Sequence, residues 1–324
     1  PHNNRDTMDY GAKARLIHPT LYIDRLVIAG NKTMVLHLIG FASGLAGVDL
    51  CSGEGPACIK QSSFLSKLPS QNIMYQWDAI ISPPETVTPL RQDEKVAAVC
   101  TVLADRVVHC MRDHQQFCVI GGDHTSAIGT WSGMHEALNG QGDIGLIWID
   151  AHMDSHTPET TESGRLHGMP LASLMGYGYP TLTCLLNDLP KLKPHYVCLI
   201  GVRSFESGEA ALLKRLNVRV YFMDEVKSRG FSTVLREAVT LLQGTVAYGI
   251  SLDLDGLDPS AIPGVSVPEP DGLDPEAVYH GLSEIADDKK WIGTEIAEFN
   301  PSRDLSHKTE KYIVQLLVLL GRRC

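Results

Sequence analysis

The sequence has no apolar run near the roughly 20 residues that a bilayer-spanning helix needs, which sets aside a helical membrane protein. It has no Lys/Arg cluster. With 28 basic against 38 acidic residues the formal net charge is −10, a balance that repels phosphate backbones and argues against a nucleic-acid partner. The eight cysteines, at 51, 58, 100, 110, 118, 184, 198 and 324, form no CxxC pair and no short disulfide framework. Cys118 and Cys198 lie inside apolar runs, where a thiol behaves as a small hydrophobe. The opening "PHNNRDTMDYGAKARLIHPT" lacks the apolar core of a signal peptide. Reduced thiols and a cytoplasmic protein are therefore expected, and the glycosylation sequon at Asn31 carries little weight. There is no internal repeat and no low-complexity linker.

What is present is a series of short apolar runs rich in β-branched residues, at 33–41, 117–122, 144–150, 195–202, 218–223, 246–255 and 291–299. Such runs predict buried strands. Between them, apolar residues recur at helical spacing over 91–113, 124–138, 208–216, 231–243, 274–288 and 305–320. Strand alternating with helix predicts βαβ units on a mostly parallel central sheet, a three-layer α/β/α fold. The Pro/Gly-rich stretches 53–56 and 258–272 are of loop length. The expected organisation is an N-terminal arm, 1–32, followed by a single catalytic domain, 33–324.

In open parallel sheets ligands gather at the carboxyl ends of strands. Four predicted strands end there in acid or imidazole: "FCVIGGDH" in His124, "IGLIWIDAHMD" in Asp150, His152 and Asp154, "GISLDLD" in Asp253 and Asp255, and "WIGTEIAEFN" in Glu298 and Asn300. Side chains at i, i+2 and i+4 of extended chain point the same way, which would let each set converge. Taken singly, each motif has an ordinary reading. DxHxD can be a solvated surface loop, SLDLD a capped strand end, and GGDH a tight turn into a helix. Taken together they place four Asp and two His at one site, and unpaired buried charges are too costly to keep. Divalent cations would resolve the conflict. Six ligands exceed one tetrahedral zinc and suit two metals. Oxygen-rich ligands with some imidazole favour Mn²⁺. Two such ions can hold a bridging water as hydroxide and stabilise charge at an attacked carbon, so the expected class is metal-assisted hydrolysis.

The motifs "GGDHT", "DAHMD", "SGRLHGMP", "SLDLDGLDP" and "EFNP", with "IGFASGLAGVDLCSGEGP" at 39–56 ahead of them, resemble those of the ureohydrolase (arginase/agmatinase) family over most of the chain. The resemblance implies a single α/β/α domain, two Mn²⁺ per chain, and a homo-oligomer, a trimer or hexamer. It implies hydrolysis of a guanidino group by a metal-bridging hydroxide that attacks the guanidinium carbon. It also implies the metal ligands His124, Asp150, His152, Asp154, Asp253 and Asp255. Asp154 would help move the proton to the leaving nitrogen, His167 would shuttle protons, and Glu298 would hold the guanidinium, an apt match for a planar cation.

The "SG…HGMP" pattern is more like arginases than agmatinases. Ser163 stands where arginases bind the substrate α-carboxylate, and Glu206 where an acid meets the α-amino group. His156 and Arg165 depart from the arginase pattern, each replacing an Asn. His can still donate a hydrogen bond, and Arg can pair with a carboxylate, although the ordinary reading of Arg165 is a solvated loop charge; either could also alter which guanidino acid is preferred. Met153 reads as packing, and the departing loop 262–273 reads as the pocket rim. The expected activity is that of an arginase, L-arginine and water to L-ornithine and urea. Agmatinase or another guanidino-acid ureohydrolase is the alternative. A deacetylase-like zinc amidohydrolase is disfavoured by the second set of ligands, and a non-catalytic family member acting as a subunit is disfavoured by the presence of all six.

Overall fold

Eight strands, β1 (Val35–Phe41), β2 (Met74–Ile81), β3 (Phe117–Ile120), β4 (Ile144–Ile149), β5 (Val197–Val202), β6 (Arg219–Phe222), β7 (Ala247–Asp253) and β8 (Trp291–Ala297), form one sheet in the order β2-β1-β3-β8-β7-β4-β5-β6. The protein is seen in a computed structural model that describes residues 35–84, 90–112 and 116–323. The expected arm 1–32 and the Asn31 sequon lie outside the described residues. Every strand pair is parallel, which makes the expected mostly parallel sheet wholly so.

Residues alternate between two cores along each strand. Phe117 and Val119 of β3, with Leu146 and Trp148 of β4, pack on one face with the helices Gln92–Arg112 and Ser126–Ala137. Cys118 and Ile120, with Ile147 and Ile149, pack on the other with Phe231–Leu241, Pro275–Glu284 and Lys308–Arg323. Both faces are covered, which is why β3, β4 and β5 are buried at every position and read as unbroken apolar runs. The helices obey ordinary local rules. Gln92–Arg112 has Asp93 and Glu94 in its first turn and His109 and Arg112 in its last, complementing its dipole. It buries Val96, Val99, Leu103, Val107 and Cys110, one stripe at three- and four-residue spacing. Pro275–Glu284 opens on Asp274, whose side chain accepts from the amides of Glu276 and Ala277 at 3.3 Å.

Several elements depart from expectation, the short helices Pro170–Leu174 and Met223–Arg229 among them. β2 was not among the predicted strands. It is an edge strand of mixed exposure, with Met74 exposed and only Ile81 fully buried, so it has neither an apolar run nor a clean alternation. The stretch 53–56, expected as loop, runs from a short 3₁₀ turn, Cys51–Glu54, into the helix Gly55–Gln61; Pro56 sits in the first turn, where its missing N–H costs nothing. Among the described residues no cysteine is paired in a disulfide, and Cys100, Cys110, Cys118 and Cys198 are buried. No helix among them is long and apolar enough to cross a membrane.

The topology places the site. β3 and β4 follow one another in sequence, yet β8 and β7 lie between them. The four central strands β3-β8-β7-β4 are those whose ends carry the acid and imidazole motifs, and a sheet whose connections change direction leaves a crevice at its carboxyl ends.

Candidate metal centre

The convergence of the acids has a different cause from the one expected. β4 ends at Ile149, so Asp150, His152 and Asp154 are not in extended chain. The Asp150 carboxylate accepts from the His152 amide at 2.7 Å, an Asx-type turn, and Asp154 has φ 46°. Asp253 ends β7 and accepts from the Asp255 amide at 2.9 Å, opening the 3₁₀ turn Leu254–Gly256. Turns, not strand alternation, aim these side chains.

They fall into two groups that share one member. His124, Asp150, Asp154 and Asp253 form the first; Asp150, His152 and Asp255 form the second. His124 Nδ1 lies 2.8 Å from Asp253, 3.0 Å from Asp154 and 3.4 Å from Asp150. His152 Nδ1 lies 3.4 Å from both Asp150 and Asp255. Burial, then the neighbouring Asp150 carboxylate, raises Asp154. Burial, then Asp255 and Asp150, raises Asp253 well above the carboxylate range, and burial pushes Asp255 up to about 6 despite His152. His124 Nδ1 and Asp255 Oδ1 are buried and have polar neighbours at these distances, yet make no well-aligned hydrogen bond. Poorly aligned buried atoms, crowded carboxylates and an all-oxygen-and-nitrogen donor set fit hard or borderline divalent cations.

The surroundings hold these candidate ligands in place. His124 stacks on Trp148 at 4.1 Å between ring centroids. Its Nε2 meets Ser251 Oγ at 2.9 Å, and Ser251 donates to buried Glu295 at 2.7 Å. Trp148 Nε1 donates to Asp150 at 2.8 Å. Arg203 donates to the carbonyls of Gly201, Asp255, Gly256, Glu269 and Pro270, tying the turn after β7 to the 262–273 loop. That loop also brings Val267 to the cleft, while Met153 is buried core.

Glu298 has φ 64° and donates its amide to Gly122 O at 2.8 Å. Its Oε1 accepts from the His124 amide at 2.9 Å and meets His167 Nδ1 at 3.1 Å. Burial opposes charge on His167, but Glu298 outweighs it and lifts the imidazole to about 9. Asp154, His156, Ser163, Arg165, His167 and Glu206 line one cleft of about 160 Å³ with His152, Asp253 and Asp255, room for a single small molecule. His156 and Glu206, expected to meet opposite ends of a substrate head group, lie 2.9 Å from each other.

Glu209 was missed by sequence reasoning. It is buried, accepts from the Ser155 and Glu206 amides, and is pushed up to about 8 by burial and by Glu206. The signal was there: "ESGE" (206–209) is a capping-box spacing. Glu269, 3.6 Å from His152 Nε2, gave no signal, because it reaches the site through a loop.

Comparison with known proteins identifies the family. The family model described as "Arginase family" matches residues 39–320. The arginase of Bacillus caldovelox is 38% identical over 229 residues, 70% of this chain and 76% of that protein. The arginase of Bacillus subtilis (strain 168) is 34% identical over 284 residues, 86% and 93% of the two. The native Bacillus caldovelox arginase structure superposes with a TM-score of 0.82 at 33% identity, covering 89% of this chain and 98% of that one.

Proposed function

The chain belongs to the arginase family, and from that membership we propose that it is an arginase, hydrolysing L-arginine to L-ornithine and urea. The observation that carries this reading is the pair of ligand groups sharing Asp150 beside the Glu298–His167 contact. His124, Asp150, Asp154 and Asp253 would hold one cation, and Asp150, His152 and Asp255 a second; Mn²⁺ suits the donors. When bound, two such ions supply Lewis acidity, lowering the pKa of water enough for attack at neutral pH.

The chain's own residues do the rest. The Glu298 carboxylate pairs with the guanidinium and fixes the plane of its carbon. Asp154, its carboxyl raised by burial, takes a proton from the attacking water and passes it to the leaving nitrogen. His167, kept protonated beside Glu298, supplies a proton to the departing amine. Ser163 and Arg165 face the carboxylate end of the substrate, with His156 and Glu206 beside them. Residues 33–324 act as the catalytic domain, in a cytoplasmic homo-oligomer, a trimer or hexamer.

The test is urea release from L-arginine by the Mn²⁺-loaded protein. Activity is expected, and Asp150→Ala should abolish it because that residue serves both groups. Turnover of agmatine but not arginine would overturn the substrate; urea from no guanidino compound would overturn the class.

A further inference from the structure

The head-group end of the cleft has satisfied acids and unsatisfied donors. Both ring nitrogens of His156 are engaged, Nε2 with Glu206 at 2.9 Å and Nδ1 with Thr160 Oγ1 at 3.2 Å. Glu209 stands 3.4 Å from the same Nε2, and its oxygens already accept two backbone amides. Glu206 and Glu209 are thus already engaged by hydrogen bonds from within the protein, and an arriving ammonium would meet His156 already on Glu206. Arg165 is the reverse case. It is exposed and lines the cleft, and among the described residues its side chain has no hydrogen-bond or ion-pair partner. Ser163, whose Oγ accepts from the Arg165 amide at 3.3 Å, keeps its O–H to donate.

We propose that the His156–Glu206 pair makes this site read the carboxylate end of a guanidino acid in preference to its ammonium end. The enzyme then also hydrolyses guanidino acids that lack the α-amino group, such as δ-guanidinovalerate. The inference rests on the reading of the site as a guanidino hydrolase. The reaction is the same: water adds to the guanidinium carbon, the C–N bond to the chain breaks, the leaving nitrogen gains a proton, and the products are urea and δ-aminovalerate. A carboxylate that gains Arg165 and Ser163 is worth roughly ten- to a hundredfold in affinity, as hydrogen bonds to charged groups usually are. An ammonium that must compete with His156 for Glu206 gains little.

The experiment compares kcat/KM for urea release from L-arginine, δ-guanidinovalerate and agmatine, using Mn²⁺-loaded wild type and His156→Asn. In wild type, δ-guanidinovalerate should lie within about tenfold of arginine and agmatine about a hundredfold below it. His156→Asn frees Glu206 and should raise the arginine to δ-guanidinovalerate ratio by about tenfold. Inhibition of wild type by δ-aminovalerate and L-ornithine reads the same preference without a variant, and the two constants should agree within about tenfold. Preference of wild type for arginine or ornithine by about a hundredfold, or an unchanged ratio in a folded His156→Asn, overturns the proposal. No urea from any of the three compounds overturns the hydrolase reading and this inference with it.

Discussion

Glu298 faces two tasks with one carboxylate: its Oε1 accepts from the His124 amide and from His167. It does so from a left-handed backbone, φ 64°, and Asp154 is similarly placed at φ 46°. Non-glycine residues pay for that conformation, and such outliers gather at functional sites. The coupling to His167 can be measured. In the metal-free protein His167 should titrate near 9, because Glu298 outweighs burial, and Glu298→Gln should move the titration down toward the usual imidazole range. Imidazole chemical shifts followed with pH check this, and a titration that Glu298→Gln leaves in place would remove Glu298 as the cause. At this scale the cluster of acids and imidazoles was legible, since such groups directly following buried strands have no place in a core. The His156–Glu206 contact was not legible, because it joins side chains 50 positions apart.

Arg203 acts at the scale of the element. Its guanidinium binds five carbonyls from three segments, Asp255 O among them at 2.9 Å, and so sets the turn that presents a candidate ligand. Arg203→Ala should weaken metal affinity by roughly 10–100-fold, the usual effect of losing such a support. Metal titration of the variant checks this, and an affinity equal to wild type would make Arg203 a rim residue only. The helix Gln92–Arg112 carries a separate pH dependence. Asp93 is held down to about 2 by its hydrogen bond with Arg91, against burial and with help from Thr181. A depressed carboxyl contributes stability above its unfolded value, 3.8, and loses it as pH falls through about 2. Denaturant unfolding across that window should show a fall in stability that Asp93→Asn flattens. Elements were legible in proportion to their burial. The central strands are wholly apolar, whereas β2 lies at an edge with mixed exposure. Its place beside β1 depends on pairing, which no local pattern encodes.

At the scale of the molecule, the sheet order converts four separate motifs into one centre. β3, β8, β7 and β4 are neighbours in space, although β8 follows β3 by over 170 positions. That they meet was inferable from chemistry, because so many buried acids need a common counter-charge. How they meet was not, since the turns at Asp150 and Asp253 replace the strand alternation expected from spacing. Asp150 belongs to both ligand groups, so a single residue links the two proposed ions. The most direct test is a titration of the metal-free protein with Mn²⁺, counting bound ions per chain while following urea release from L-arginine. The account predicts two ions per chain at saturation, full activity only when both are bound, and loss of both binding and activity in Asp150→Ala. Activity that saturates with one ion per chain, or an active Asp150→Ala, would contradict it.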